Sequence, residues 1–364
     1  MYSFEPTDEQ KMLIDAIKRY ATGDLRAAAH DADEEGELKP ALIEKGWELG
    51  VLQASIPEDF GGFGEYSALN GVLAAEEMAW GDLAGAMAVM TPALFAVPLL
   101  LGGTDEQKQE YLPPLAEAEW QPYTAALIEE RYDFDATDLA TVAVEDGDDY
   151  LISGAKAYVP FANESVGMLV YARLGDQTQA FIFPKDSAGV MVGERQKLLG
   201  INALPLYRVQ FEGVRVPKAN RLGGAEGHPI EPILATAYLA NAAMALGVSR
   251  AAFEYSRDYA KDRDAFGVKV AQKQAIAFML AEMATEIEAI RLLLWEAAWM
   301  LDNGKEGAFK QAYLAHIGAM DMVVMVTDRA VQILGGHGYI REHPVEMWLR
   351  NGRGIATFAG LAMV

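Results

Sequence analysis

Residues able to make or break covalent bonds are sparse in this 364-residue sequence, and the gaps narrow its chemistry. Cysteine is absent, which removes disulfides, thiolate zinc sites and a cysteine nucleophile; the five histidines are scattered with no HxxxH pair. There is no GxSxG elbow, no GxGxxG after a strand pattern and no Walker lysine loop. Two GGxG pieces, Gly61-Gly62-Phe63-Gly64 and Gly335-Gly336-His337-Gly338, stand at predicted helix ends, where spacing alone reads them as left-handed caps. The acidic runs Asp133-Phe134-Asp135-x-x-Asp138 and Asp31-x-Asp33-Glu34-Glu35 lack the ligand order and glycine of a calcium loop and read as solvated loops. His316, with Tyr313 and Met320 on its helix face, reads as a satisfied core histidine, while His337 and His343 lie in or beside a glycine turn. Carboxylate metal sites, hydroxyl chemistry and a bound organic cofactor remain open.

The elements that would position such a site fall into three blocks. Thr7-x-x-Gln10 predicts a capped helix start, and Ala41 to Leu49 and Leu69 to Trp80 carry helical periodicity, so residues 1–120 read as a helical domain. Ile56 to Gly64 is a turn-rich break within it. Over 121–225 short runs rich in β-branched and aromatic residues, such as Met168 to Ala172 and Ala180 to Phe183, alternate with Gly, Asp, Asn and Pro clusters, which predicts an antiparallel β domain. Residues 226–364 return to helical spacing, best seen from Ile276 to Leu301, where a helix of about 30 residues ending at Asn303-Gly304 calls for a long bundle. The fold class is therefore α+β and multidomain.

Charge and hydropathy exclude other classes. Thirty Lys plus Arg against 53 Asp plus Glu give a net charge of −23, which repels nucleic acid and anionic lipid. Ala84 to Gly103 runs without a charge, but Pro92, Pro98 and the glycines there predict buried helix ends and not a membrane span. The opening MYSFEPTDEQ has neither a basic segment nor an apolar core, so the chain reads as cytoplasmic.

Longer strings give a resemblance. Gly46-Trp47-Glu48-Leu49-Gly50-Val51, Ile56-Pro57-Glu58-Asp59-Phe60-Gly61-Gly62, Gly103-Thr104-Asp105-Glu106-Gln107-Lys108, Arg263-Asp264-Ala265-Phe266-Gly267, Gln274 to Met283 and Gln332 to Tyr339 together resemble the acyl-CoA dehydrogenase superfamily over nearly the whole chain. The resemblance implies an N-terminal helical domain, a middle β-barrel-like domain and a C-terminal four-helix bundle, with FAD between the last two. It implies oxidation of an acyl-CoA thioester by loss of an α proton to a carboxylate base and of hydride to the flavin. The implied acceptor is an electron-transferring flavoprotein, and the implied assembly a homodimer or homotetramer. Arg263, Phe266, Gln274, Gln332, Gly335 and Gly336 would hold the adenosine diphosphate end of FAD, partly across a subunit interface.

The sequence departs from the family where chemistry is concentrated. The family's catalytic Glu sits in a Tyr-Glu-Gly-Thr string, and here Phe358-Ala359-Gly360-Leu361 occupies it, so the base position is Ala359, flanked by Phe358 and Gly360 against the substrate. An alternative base position on the first helix of the last block falls near Ala237, with Tyr238 beside it toward the substrate. At the flavin ring, the family's Thr-Glu-Pro-Gly-Ala-Gly-Ser-Asp becomes Ile128-Glu129-Glu130-Arg131-Tyr132-Asp133-Phe134-Asp135, and Lys-x-Trp-Ile-Thr becomes Lys156-Ala157-Tyr158-Val159-Pro160. Hydroxyls are lost at Ile128 and Pro160, an aromatic wall survives at Tyr158, and the carboxylates of Glu129, Glu130 and Asp133 need Arg131 to neutralise them. Three readings follow: a dehydrogenase whose base is removed or replaced, a base-free elimination enzyme on the same fold, and a non-catalytic subunit of a hetero-oligomer.

Overall fold

The computed structural model describes residues 5–184, 186–357 and 359–364. Helix α1 (Asp8–Tyr20) starts at a capping box in which Thr7 and Gln10 satisfy each other's backbone N–H, as the sequence spacing predicts. Helices α2 (Arg26–Glu35) and α3 (Pro40–Trp47) follow, then α4 (Ala68–Gly81), α5 (Leu83–Met90), α6 (Ala93–Gly102) and α7 (Asp105–Tyr111). The acidic run at Asp31 lies inside α2 and is not a loop: Asp33 is buried and ion-paired to Arg350 at 2.6 Å, because that face of α2 meets the last helix of the chain. The uncharged stretch from Ala84 forms α5 and α6, bent 48° at the Thr91-Pro92 break and buried in the core.

Strands β1 (Tyr123–Ala126), β2 (Val142–Asp146), β3 (Asp149–Pro160), β4 (Gly167–Leu174), β5 (Gln177–Pro184), β6 (Val190–Arg195) and β7 (Leu206–Pro217) form one sheet in the order β1-β4-β2-β3-β7-β6, with β5 on β4. Most pairs are antiparallel, but β4 runs parallel to both β1 and β2, so the module is not purely antiparallel. Strand β1 is too short and too alanine-rich to stand out by period.

Helix α8 (Ile230–Asp262) ends at Arg263, and a small hairpin of β8 (Asp264–Ala265) and β9 (Val268–Lys269) leads to α9 (Gln274–Asp302), α10 (Ala308–Leu334) and the short α11 (Val345–Ile355). Helix α9 is 29 residues long and stops at Asn303, followed by Gly304 at φ 55°, matching the length and stop signal in the sequence. Helix α8 is apolar and long enough to cross a membrane, but 89% of its apolar window is buried inside the protein. Gly247 lets α4 cross α8 closely, since a Cβ there would lie 2.3 Å from the Glu76 carbonyl oxygen. Arg250 binds Glu76 at 2.8 Å and Glu77 at 2.6 Å, and Arg291 binds Glu76 at 3.1 Å, so paired charges tie α4, α8 and α9 together where each alone would be costly to bury.

Candidate active site

A cavity of about 420 Å³ opens where the β1–β2 connection, α8, α10 and the C-terminal segment meet. The two base positions named from sequence, Ala237 on α8 and Ala359 near the C-terminus, both border it, although 122 residues separate them. Tyr238 and Gly360 border it as well, whereas Phe358 lies outside the described residues. Gly360 is needed as glycine: its φ is +98°, and a Cβ would meet Leu127 Cδ2 at 2.8 Å. Burial, with the nearby Tyr313 and Asp135, pushes the Tyr238 phenol up, so it stays protonated at neutral pH.

His316 corrects the core reading of that residue. It borders the cavity, its ring stacks on Tyr238 with centroids 5.0 Å apart, and its buried Nδ1 has no hydrogen-bond partner among the described residues. Burial lowers its pKa to about 4, so the imidazole is neutral near pH 7. The signal that the sequence reading missed is Phe309, which with Tyr313 and His316 makes a ring stripe at i, i+4 and i+7. Only the packing of α10 against α8 shows that the stripe faces a cavity.

The β1–β2 connection is held from beneath. Lys156 Nζ lies 2.9 Å from Glu129 Oε1 and donates to the Leu127 carbonyl at 3.0 Å, and the pair is almost wholly buried. Glu129 also accepts the backbone N–H groups of Ala140 and Thr141 at 2.7 and 2.8 Å. Burial pushes the Glu129 carboxyl up, but Lys156 and those two N–H donors outweigh it and hold the group below the ordinary carboxylate range. Neutralisation is thus divided differently from the sequence expectation: Glu129 pairs with Lys156, Glu130 with Arg208, and Arg131 with Asp133 at 3.1 Å and Asp138 at 3.5 Å. Partner choice depended on which strands stack, which spacing along the chain does not reveal.

On the other side of this connection a groove of about 610 Å³ runs along β6 and β7, with Tyr158, Glu130 and Arg208 on its wall. Tyr158 sits at φ +56°, its N–H donating to Gln196 Oε1 at 2.8 Å, so the aromatic wall is set by a left-handed residue that a side-chain amide pins. Ile128 is buried and Pro160 closes β3 against Leu206.

The remaining predicted residues gather elsewhere. Arg263 follows α8, Phe266 tips the β8–β9 hairpin at φ +56° and is 96% exposed, Gln274 opens α9, and Gln332, Gly335 and Gly336 end α10. All are solvent-facing, Arg263 makes no ion pair with described residues, and a Cβ on Gly335 or Gly336 would meet nothing within 4 Å. Because α9 and α10 run back and forth beside α8, these termini share one end of the bundle. Ala237 and Arg263 are 26 residues apart on α8, about 39 Å at 1.5 Å per residue.

Comparison with known proteins places this architecture. Residues 7–119 match the N-terminal domain of acyl-CoA dehydrogenases, 124–214 the middle domain and 233–362 the C-terminal domain. The chain belongs to the acyl-CoA dehydrogenase family. It is 33% identical over 371 aligned positions to the mitochondrial short-chain specific acyl-CoA dehydrogenase of Sus scrofa, covering 100% of this chain and 89% of the relative. It is 33% identical over 367 positions to the caffeyl-CoA reductase-Etf complex subunit CarC of Acetobacterium woodii, covering 98% and 96%. Among solved structures, butyryl-CoA dehydrogenase from Megasphaera elsdenii superposes with a TM-score of 0.89 at 30% identity, over 98% of this chain and 96% of that one.

Acyl-CoA dehydrogenases are FAD-dependent oxidoreductases, and the residues here meet that cofactor's chemistry unevenly. The exposed Arg263 and the open Gly335-Gly336 backbone suit a diphosphate, since guanidinium pairs bidentately with phosphate and glycine admits close backbone approach. At the ring end Tyr158 offers an aromatic face, whereas Ile128 and Pro160 offer no side-chain donor.

Proposed function

We propose that this chain is an acyl-CoA dehydrogenase-type flavoprotein subunit that holds an acyl-CoA thioester in the cavity bounded by Ala237 and Ala359, and that hands electrons to an electron-transferring flavoprotein. The observation that carries the reading is the convergence of both base positions of the family on one cavity beside the Tyr158 groove. FAD, when bound, supplies the acceptor for the β hydrogen as hydride. Tyr158 would face its ring, while Arg263, Phe266, Gln274, Gln332, Gly335 and Gly336 of a neighbouring copy would hold its diphosphate end. This chain supplies a methyl group at each position where the family places the carboxylate. Absence of a general base costs ~10²- to 10⁴-fold in rate, so dehydrogenation by the chain alone is slow.

One observation favours a second reading, in which the chain completes a hetero-oligomer with an active dehydrogenase. The diphosphate-binding set lies about 39 Å along α8 from the cavity, farther than one extended FAD reaches, and it faces solvent. That set therefore serves a neighbouring subunit's cofactor, while the chain's own ring end has lost its donors. The same geometry fits a homodimer or homotetramer, and flavin content separates the cases. Protein purified alone with one FAD per chain supports the homo-oligomer; protein that becomes yellow only after a second dehydrogenase subunit is added supports the hetero-oligomer. Ala359→Glu then tests the base. In a yellow protein the variant should bleach with acyl-CoA ~10²-fold faster than the parent or more, and no gain would sink the removed-base account.

A further inference from the structure

The walls of the cavity differ in kind, and the difference bears on the acyl group. One wall carries rings: Tyr238 is surrounded by His316 at 5.0 Å and 30°, Tyr313 at 5.3 Å and Phe309 at 6.0 Å between centroids, and Phe134 reaches in from the β1–β2 connection. Four other lining positions, Ala136, Ala237, Ala359 and Gly360, carry nothing beyond Cβ, and Leu127 and Leu234 add aliphatic surface. A slot lined by rings and small or aliphatic side chains suits a flat group better than a flexible alkyl chain, because a planar ring buries two faces at little conformational cost. The slot also has a polar element. Asp135, on the same cavity, keeps its carboxylate oriented by accepting the Thr137 N–H and hydroxyl at 2.8 Å each through Oδ1.

We propose that the cavity selects an acyl thioester whose acyl group ends in a hydroxylated aromatic ring, with the ring against Tyr238 and Phe309 and the ring hydroxyl directed to Asp135. This rests on the reading of the cavity as the acyl site. The charge arrangement suits such a group: the Asp135 carboxylate accepts the hydrogen bond that a phenol donates.

The test is isothermal titration of the full chain with 3-(4-hydroxyphenyl)propanoyl-CoA, 3-phenylpropanoyl-CoA and butyryl-CoA. These share the CoA moiety, so differences report the acyl group alone and no turnover is needed. A ring pair contributes roughly 2- to 10-fold in affinity, so the hydroxyphenyl thioester is expected to bind at least about tenfold more tightly than butyryl-CoA, with the bare phenyl compound between them. Tyr238→Leu should shrink the advantage of both aromatic thioesters, and Asp135→Ala should remove the gap between the hydroxylated and bare rings. Circular dichroism confirms that each variant is folded, and Tyr313→Leu, at a half-exposed position, replaces Tyr238→Leu if that variant is not. Butyryl-CoA binding as tightly as either aromatic thioester overturns the proposal and leaves the acyl site standing. Failure of all three thioesters to bind overturns both.

Discussion

Lys156→Met removes one partner from the buried pair beneath the cavity and leaves Glu129 charged in a site almost closed to water. Breaking one side of a buried ion pair costs about 3–5 kcal/mol. Two considerations narrow that range. The N–H groups of Ala140 and Thr141 remain on Glu129 at 2.7 and 2.8 Å and hold part of its charge, which favours the lower end. The Leu127 carbonyl loses its donor as well, which adds about 1 kcal/mol. The expected loss is therefore about 4 kcal/mol. The double variant Glu129→Gln with Lys156→Met removes both charges while the amide oxygen still accepts one backbone N–H, so it should recover about 1–3 kcal/mol relative to Lys156→Met alone. Urea denaturation of the parent, both single variants and the double variant closes the cycle. Because the folded pKa of Glu129 is held below its unfolded value, the stabilisation is present above the ordinary carboxylate pKa and fades as acid protonates the group. A Lys156→Met loss under about 1 kcal/mol, or additive singles, would refute the claim that this pair fixes the β1–β2 connection.

Two further outcomes follow from the geometry. His228, whose Nδ1 donates to the Leu222 carbonyl at 3.2 Å, and His316 are both lowered to about 4 by burial, so each adds stability above pH 6.5 that is lost as pH falls toward 4. At pH 5 each forfeits about 2 kcal/mol, while Asp82, raised to about 6 by burial, returns about 1 kcal/mol over the same span. The net loss should appear as a lower Tm at pH 5 than at pH 7.5, and His228→Asn should flatten the slope; an unchanged slope refutes the assignment. Phe266→Gly relieves a left-handed φ of +56° on a 96% exposed residue, so Tm should hold or rise, while FAD retention by the oligomer falls. A variant that keeps all its flavin would show that the hairpin tip does not touch the cofactor.

Much of the architecture was legible because it rests on local rules. The Thr7–Gln10 capping box, the Asn303-Gly304 stop and the six short β-branched runs that became β2 to β7 all depend on neighbours a few residues away. Strand β1 and the β8–β9 hairpin escaped because four alanine-rich residues and two-residue strands carry no period.

By itself the sequence determined the order helical, β, helical, the methyl group at Ala359 and side chains without a hydroxyl at Ile128 and Pro160, since these are matters of residue identity and local spacing. Tertiary structure alone decided that Ala237 and Ala359 share a cavity, that Glu129 turns inward to Lys156 while Glu130 turns out to Arg208, and that His316 borders the cavity beside Tyr238. The reason is physical: pairing energy and desolvation depend on distance through space, and segments far apart in the chain acquire that distance only when helices and sheet pack.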